Sequence, residues 1–346
     1  MGNSFGKILT LTTFGESHGV AVGGVLDGFP SNIEIDLNFI QSELNRRRPG
    51  LEFFSSPRKE DDKIEILSGI FKGRSTGAPI AFVVFNKDQQ PDDYEHLKEV
   101  YRPSHADFTY QQKYGIRDYR GGGRSSARET LSRVAGGAFA KLFLQLHQIR
   151  VEARISQVGK YVVTDHGTGL PDGQTGMFEK NIIGYLEELK ASGDTTGGII
   201  SCRITGAPAG LGEPVFDKLQ ADLAKAMLSI NAVKGFEYGS GFAGVAMNGS
   251  EHNDIFTSES GRIRTLSNYS GGIQGGISNG MEITFRVAFK PVPTLMKDQE
   301  TVTVSGDKTI LKGKGRHDVC VVPRALPIVE AMAALVIADH FLRNEK

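Results

Sequence analysis

The sequence predicts an α+β fold in which helices are layered with antiparallel sheets. Three observations carry that prediction. Short apolar stretches of strand character come in pairs, long amphipathic stretches separate the pairs, and no strict strand–helix alternation runs through the chain. The 43 glycines, against a usual share of about 7%, add many tight turns. No short-period repeat and no low-complexity linker divides the 346 residues, so one domain spanning 1–346 is expected.

Each element follows from its local pattern. "KILTLTTF" and "VAVGGVLDGF" read as strands. Asp36 then caps "LNFIQSELNRRR", where Leu37, Ile40, Gln41 and Leu44 keep helical spacing. "KIEILSGIF" and "APIAFVVFN" are two further strands around the turn "KGRSTG". Lys87 to Ser125 has little periodicity, and Pro91, Pro103 and Gly121 to Gly123 mark long loops of the kind that carry function. "SARETLSRVAGGAFAKLFLQLHQI" is a long helix with Leu131, Val134, Ala138, Leu142 and Leu146 as its buried stripe. "RVEARISQVG", "GGIISCRITG" and "GMEITFRVAF" are strands. "VFDKLQADLAKAMLSI" is a helix with Leu219, Leu223, Met227 and Ile230 on one face, and "PRALPIVEAMAALVIADHFL" is the last helix.

Lys+Arg and Asp+Glu both number 40, so no overall basic field points to nucleic acid, and an anion site must be a local cluster of cations. Two cysteines, Cys202 and Cys320, make no disulfide framework and have no zinc-type spacing. The N-terminus lacks the apolar segment of a signal peptide, and no unbroken apolar run reaches the ~18 residues of a membrane span. A cytoplasmic protein is expected, with no membrane, nucleic-acid or metal partner.

Several stretches carry chemistry. In "TTFGESHGVAVGG", His18 sits between an acid–serine pair and glycines, where it is either a packed side chain or a proton donor held close to a ligand. Its adjacency to Ser17 gives no reason to expect a Ser–His pair. "RGGGRSSARET" runs three glycines into a helix whose first turn holds Ser125 and Ser126. With Arg120, Arg124 and Arg128 it is either an anion site or a loop before a capped helix. "NRRRPG" is a solvated helix end or a second anion clamp. "YRPSHAD" pairs His105 with Arg102 after a rigid turn, as an exposed loop or as an acid near neutral pH. "SGGIQGGISNG" is a glycine hairpin or a backbone lying against a flat ring. On the last helix Asp339 shares a stripe with Ile328, Met332, Leu335 and Leu342. A carboxylate buried there suits a general base, and one in a frayed last turn does not.

Taken together and in order, "FGESHG", "RPSHAD", "GGGRSSARET", "NAVKGFEYG", "GGISNG" and "RHD" with "PIVEAMAALVIAD" resemble the chorismate synthase family across nearly the whole chain. That resemblance implies a β-α-β sandwich with helices packed between the sheets, and a homotetramer. It implies conversion of 5-enolpyruvylshikimate 3-phosphate to chorismate and phosphate with reduced FMN (FMNH2). His18 is then the acid for the departing phosphate, His105 stands near flavin N1, and Asp339 acts as a base near flavin N5. FMN is held by Arg124, Ser125, Ser126, Asn231, Ala232, Gly275, Lys290, Pro291, Val292, Pro293, Thr294 and Arg316. Substrate anions meet Arg47, Arg102, Ala127 and Arg128, with Arg48 as a neighbour. The chain departs from many relatives after "RRRPG", where Phe53 or Phe54 stands in place of a further arginine and Arg58 comes later. Some members also reduce their own flavin with NAD(P)H. The rival readings are a flavin reductase alone and an RNA- or phosphoanion-binding module.

Overall fold

The computed structural model describes residues 2–48, 61–87, 91–163, 180–314 and 318–344, the side chains of 91–93 excepted. The first sheet contains β1 (Ser4–Phe5), β2 (Thr10–Gly15), β3 (Ala21–Asp27), β4 (Glu65–Ile66) and, after a small ribbon of β5 (Ile70–Phe71) and β6 (Arg74–Ser75), β7 (Ile80–Phe85). Its order is β1-β2-β3-β7-β4, antiparallel throughout. The second sheet is built from β8 (Arg150–Val158), β9 (Tyr161–Val162), β10 (Gly198–Thr205), β11 (Val233–Tyr238) and, beyond the hairpins β12 (Phe256–Glu259) with β13 (Arg262–Thr265) and β14 (Ile273–Gln274) with β15 (Ile277–Ser278), β16 (Ile283–Phe289). Its order is β11-β16-β10-β8-β9, again antiparallel. A last ribbon pairs β17 (Gln299–Val302) with β18 (Lys308–Leu311).

The helices are α1 (Leu37–Arg47), α2 (Asp107–Tyr114), α3 (Thr130–Leu146), α4 (Lys180–Ala191), α5 (Leu219–Leu228), the single turn α6 (Gly249–His252) and α7 (Val322–Asn344). α3 packs on β2 and β3 of the first sheet and on α7, and α7 packs on β8 and β10 of the second. α3 and α7 therefore lie between the sheets, as a β-α-β sandwich requires. A helix covered on both sides is apolar nearly all round, and α3 is buried almost continuously from Thr130 to Leu144. Gly136 and Gly137 stand back to back in it. A Cβ on Gly136 would meet the Leu11 side chain at 2.8 Å, and one on Gly137 would meet Ala331 Cβ at 2.3 Å. Gly137→Ala is expected to lower unfolding free energy by ~2 kcal/mol in urea titration, because overpacking against α7 outweighs the ~1 kcal/mol helix-propensity gain.

α7 has the length and apolarity of a membrane span, with 23 residues, but 89% of its most apolar window is buried inside the protein. Its interior carboxylate, Glu330, joins a buried ion cluster. Lys141 of α3 reaches Glu43 of α1 and Glu330 at 2.6 Å, and Arg46 reaches Glu43 at 2.8 Å and Glu330 at 2.6 Å. Burial opposes the Glu330 charge, yet Lys141 and Arg46 hold its pKa down at about 2. Two carboxylates against two cations make the cluster neutral.

Periodicity located α1, α5 and α7 where the structure has them, with Asp36 accepting from Asn38 N and Phe39 N as the α1 cap. Several readings change: Leu146 of the expected α3 stripe is exposed, and "KIEILSGIF" breaks into β4 and β5. The helix expected from Ser125 begins as an α-helix only at Thr130, after two 3-10 turns, Gly123–Ser125 and Ala127–Glu129. The segment read as loop contains α2, and α4 was not foreseen.

Candidate active site

The turn between β2 and β3 carries His18. Gly19 N donates to Glu16 O at 3.2 Å and closes it. Ser17 and His18 are buried, at 1% and 6% exposure, with Ser17 Oγ 3.1 Å from His18 Nδ1 and the Tyr94 ring edge-on at 4.9 Å. Gly121 lies on the imidazole: its φ is +67°, and a Cβ there would come within 2.2 Å of His18 Cε1. The first of the three glycines thus makes room for the ring. Gly121→Ala is expected to displace His18 and cut turnover by about a hundredfold, the order a 1 Å misplacement costs, with native-like circular dichroism.

The 102–107 loop is held by charge. Arg102 grips Asp107 with Nε at 2.8 Å and one terminal nitrogen at 2.7 Å, and Arg117 stands 3.5 Å from the same carboxylate. Burial works against the Asp107 charge, but the arginines hold its carboxyl below the usual range. Ser104 takes φ 59° and its carbonyl accepts from Lys290 Nζ at 2.9 Å. His105 Nδ1 lies 3.0 Å from Pro103 O and its Nε2 3.2 Å from Thr294 Oγ1. Since a carbonyl only accepts, Nδ1 carries the proton and Nε2 accepts from the threonine hydroxyl. Burial, with Arg102 beside it, pushes the His105 pKa down to about 4. An unfolded histidine titrates near ~6.5. The stability this provides is therefore present above that pH and is lost as pH falls from ~6.5 through about 4. Proton-detected titration of the ligand-free protein is expected to show the His105 transition near 4, and a transition near ~6.5 would contradict a buried neutral ring.

Three segments expected around a flavin are tied to one another. Asn231 Nδ2 donates to Ser125 O at 2.8 Å, Lys290 N donates to Ala232 O at 2.9 Å, and Thr195 Oγ1 fixes Val292 O at 2.7 Å. Ser125 Oγ donates to Gly122 O at 2.6 Å, and Ser126 Oγ accepts from Arg128 N at 3.4 Å. Arg124 turns inward, with its terminal nitrogens donating to Gly15 O at 3.1 Å and Thr13 Oγ1 at 2.7 Å. Burial and the nearby Lys234 lower the pKa of Lys290. Pro291 and Pro293 fall in the same 290–294 segment. The exposed Ala127 lies between Ser126 and Arg128.

Beside these lies a cluster of buried guanidiniums. Asp62 accepts from Arg47 at 2.8 Å and from Arg128 at 2.7 Å, and Arg128 Nε also donates to Asn86 Oδ1 at 2.7 Å. Arg324 donates to Arg47 O at 3.2 Å and to Asp318 Oδ2 at 2.6 Å. Burial, then the charges of Arg324 and Arg128, bring the Arg47 pKa down to about 10. Burial works against the Asp62 charge, but Arg47 and Arg128 hold its carboxyl below its ordinary range. The three arginines of "NRRRPG" diverge: Arg46 enters the neutral cluster, Arg47 enters this one, and Arg48 ends α1 half-exposed, 3.6 Å from Asp61.

Two expected residues are placed elsewhere. Asp339 is buried at 4%, but its Oδ1 accepts from Lys7 N, Ile8 N and Leu9 N at 3.1, 2.7 and 3.0 Å, with Arg343 3.6 Å from Oδ2. It anchors the chain ahead of β2, roughly 22 Å along α7 from Arg324 at ~1.5 Å per residue. Gly275 turns the β14–β15 hairpin, whose Gly276 packs on Lys218. That hairpin precedes the start of β16, whereas Lys290 follows its end, a strand of seven residues and about 20 Å away. Arg316, Phe53, Phe54 and Arg58 lie outside the described residues. Sequence reasoning missed Asp62, Asn86, Asp318 and Arg324. Only Asp318 had a signal, as the acid of "RHD".

A family model described as chorismate synthase matches residues 9–342. The chain belongs to the chorismate synthase family. Chorismate synthases of Cytophaga hutchinsonii and Bacteroides thetaiotaomicron are 58% and 57% identical to it, each alignment covering 100% of this chain and 99% of the relative. A solved structure described as "Crystal Structure of Chorismate Synthase" superposes with a TM-score of 0.75 at 30% identity, covering 98% of this chain and 92% of the other. The layering of helices between antiparallel sheets is thus that of a chorismate synthase. Within it, the His18 turn, the 102–107 loop and the arginine cluster share one end of the sandwich.

Proposed function

We propose that this chain converts 5-enolpyruvylshikimate 3-phosphate to chorismate and phosphate in the presence of reduced FMN. The observation that carries this reading is a buried imidazole, His18, whose turn is joined through Asn86 to Arg128 and the buried guanidiniums beyond it. In the reaction the carbon–oxygen bond to phosphate breaks, a ring hydrogen leaves, and a second ring double bond forms. The substrate carries a phosphate and two carboxylates, which bidentate arginines suit. Arg47 has a buried Nε without a hydrogen-bond partner among the described residues, and an anionic oxygen satisfies it. Arg47, Arg128 and Arg102 bind these anions, with Ala127 in the adjoining turn and Arg48 at the rim.

His18 donates a proton to the departing phosphate, which leaves more readily as it becomes protonated. His105 is neutral, so Nε2 is its free atom once Thr294 turns away, and its Nδ1–H stays on Pro103 O. Asp318, held by Arg324 beside Arg47, takes the base role expected of Asp339, whose Oδ1 is occupied by three backbone N–H groups.

The residues present fit a flavin nucleotide. Asn231 Oδ1 is buried without a partner among the described residues and takes a donor, while the mutual repulsion of Lys234 and Lys290 is offset by a phosphate-bearing group. Ser125, Ser126, Asn231, Ala232 and Lys290 to Thr294 would hold it, with Arg124 supporting the loop through Gly15 and Thr13, and with Arg316. The chemistry that bound reduced FMN supplies is a transient electron that assists the loss of phosphate. The chain acts as one cytoplasmic domain and assembles as a homotetramer, which the exposed Phe242, Val245, Phe256, Ile263 and Leu266 support.

Anaerobic addition of reduced FMN and 5-enolpyruvylshikimate 3-phosphate is the test. Stoichiometric phosphate with rising chorismate absorbance is expected, and no phosphate from a well-folded sample would refute the reading.

A further inference from the structure

Asn86 directly follows β7 and is bonded on every side. Its Nδ2 donates to Glu16 O at 3.0 Å and to Gly19 O at 2.7 Å, the two carbonyls that bracket His18 in the turn. Its Oδ1 accepts from Arg128 Nε at 2.7 Å, and its backbone N–H donates to Val20 O at 3.0 Å. The amide cannot be turned over. Flipped, it would put an NH2 against a guanidinium and an oxygen against two carbonyls. The side chain is half-buried, and both its hydrogens and its oxygen are spent. Arg128 is in turn gripped by Asp62, which it shares with Arg47. A continuous path of polar contacts therefore runs from the arginines to the turn that carries the imidazole.

The geometry points to Asn86 as a positioning residue that couples occupation of Arg128 by an anion to the placement of His18. This rests on the function proposed above, in which Arg128 binds a substrate anion and His18 protonates the departing phosphate. When an anion draws the Arg128 guanidinium, Oδ1 follows it, and the same rigid amide carries Glu16 O and Gly19 O. Filling the anion site then shifts the turn, and the ring moves with it. Plain capping of a strand end needs the bonds to the turn but not the bond to Arg128.

The test uses the full-length protein, inorganic phosphate as the probe and the His18 ring signal in NMR, assigned by its disappearance in His18→Gln. Phosphate is expected to shift that signal in the native protein in parallel with its binding by calorimetry. Asn86→Asp keeps the size and the Arg128 contact but places an oxygen against the two carbonyls. It should bind phosphate within about threefold of native, lose most of the His18 shift, and lower kcat about tenfold with KM little changed. Asn86→Ala serves the same purpose if the aspartate variant does not fold. An undiminished His18 shift in either variant overturns the coupling. So does a native ring that ignores bound phosphate, or a loss confined to KM and thermal stability. If the native protein releases no phosphate from 5-enolpyruvylshikimate 3-phosphate while the His18 response still depends on Asn86, the proposed reaction falls and the coupling stands.

Discussion

His18→Gln is expected to lower the rate of phosphate release by about a thousandfold while FMN affinity stays within about threefold of native. A positioned acid is worth roughly a hundredfold to ten-thousandfold, and glutamine keeps a polar side chain of similar reach without an ionisable proton. His18 packs on Ser17, Tyr94 and Gly121, whereas the segments expected around a flavin are tied to one another by Asn231 Nδ2 on Ser125 O and by Lys290 N on Ala232 O. Pre-steady-state phosphate release and flavin titration on the same sample separate the two quantities. Unaltered release would remove the acid role.

The second large effect contrasts two carboxylates on one helix and the segment before it. Asp318→Asn is expected to cut turnover about a hundredfold, because it removes the charge facing Arg324 at the end where Arg47 and Arg128 lie. Asp339→Asn is expected to leave turnover of the folded protein within about threefold and to cost ~1–2 kcal/mol of stability, since the three backbone donors then face a neutral acceptor. Turnover paired with denaturant unfolding measures both. Loss of turnover in Asp339→Asn with unchanged stability would restore Asp339 as the base.

These expectations show what was legible in the chain. Local pattern was. Asp36 caps α1, Ile40 and Leu44 are fully buried, and the stripe through Ile328, Met332, Leu335 and Asp339 is buried along α7. A stripe states which face of a helix is covered, however, not which end meets the cations, so the base role that the resemblance implied for Asp339 had no support from the pattern itself. The 102–107 loop was legible as the place where Arg102 and His105 sit, but its order was not. It depends on Asp107, Arg117 and Lys290, a non-local set with no periodicity. Asp62 and Asn86 were invisible for the same reason. One falls in a run of charges and the other follows an apolar strand, and only folding brings each to Arg128. The glycine run has a structural use that its pattern did not announce. Gly121 is there to clear an imidazole, and the helix begins later than the serines suggested.

The neutral cluster of Glu43, Arg46, Lys141 and Glu330 has a consequence for descent. Lys141 and Glu330 each answer charges on two other residues of the cluster across helix boundaries, and Glu43 and Arg46 pair with each other and with one further helix. Losing one member therefore strands an ion in the interior at a cost of ~3–5 kcal/mol. An apolar quartet of matching volume would escape that penalty, but no single substitution leads there. Across relatives these four positions should therefore be inherited as a block, kept whole or exchanged together, with mixed combinations rare.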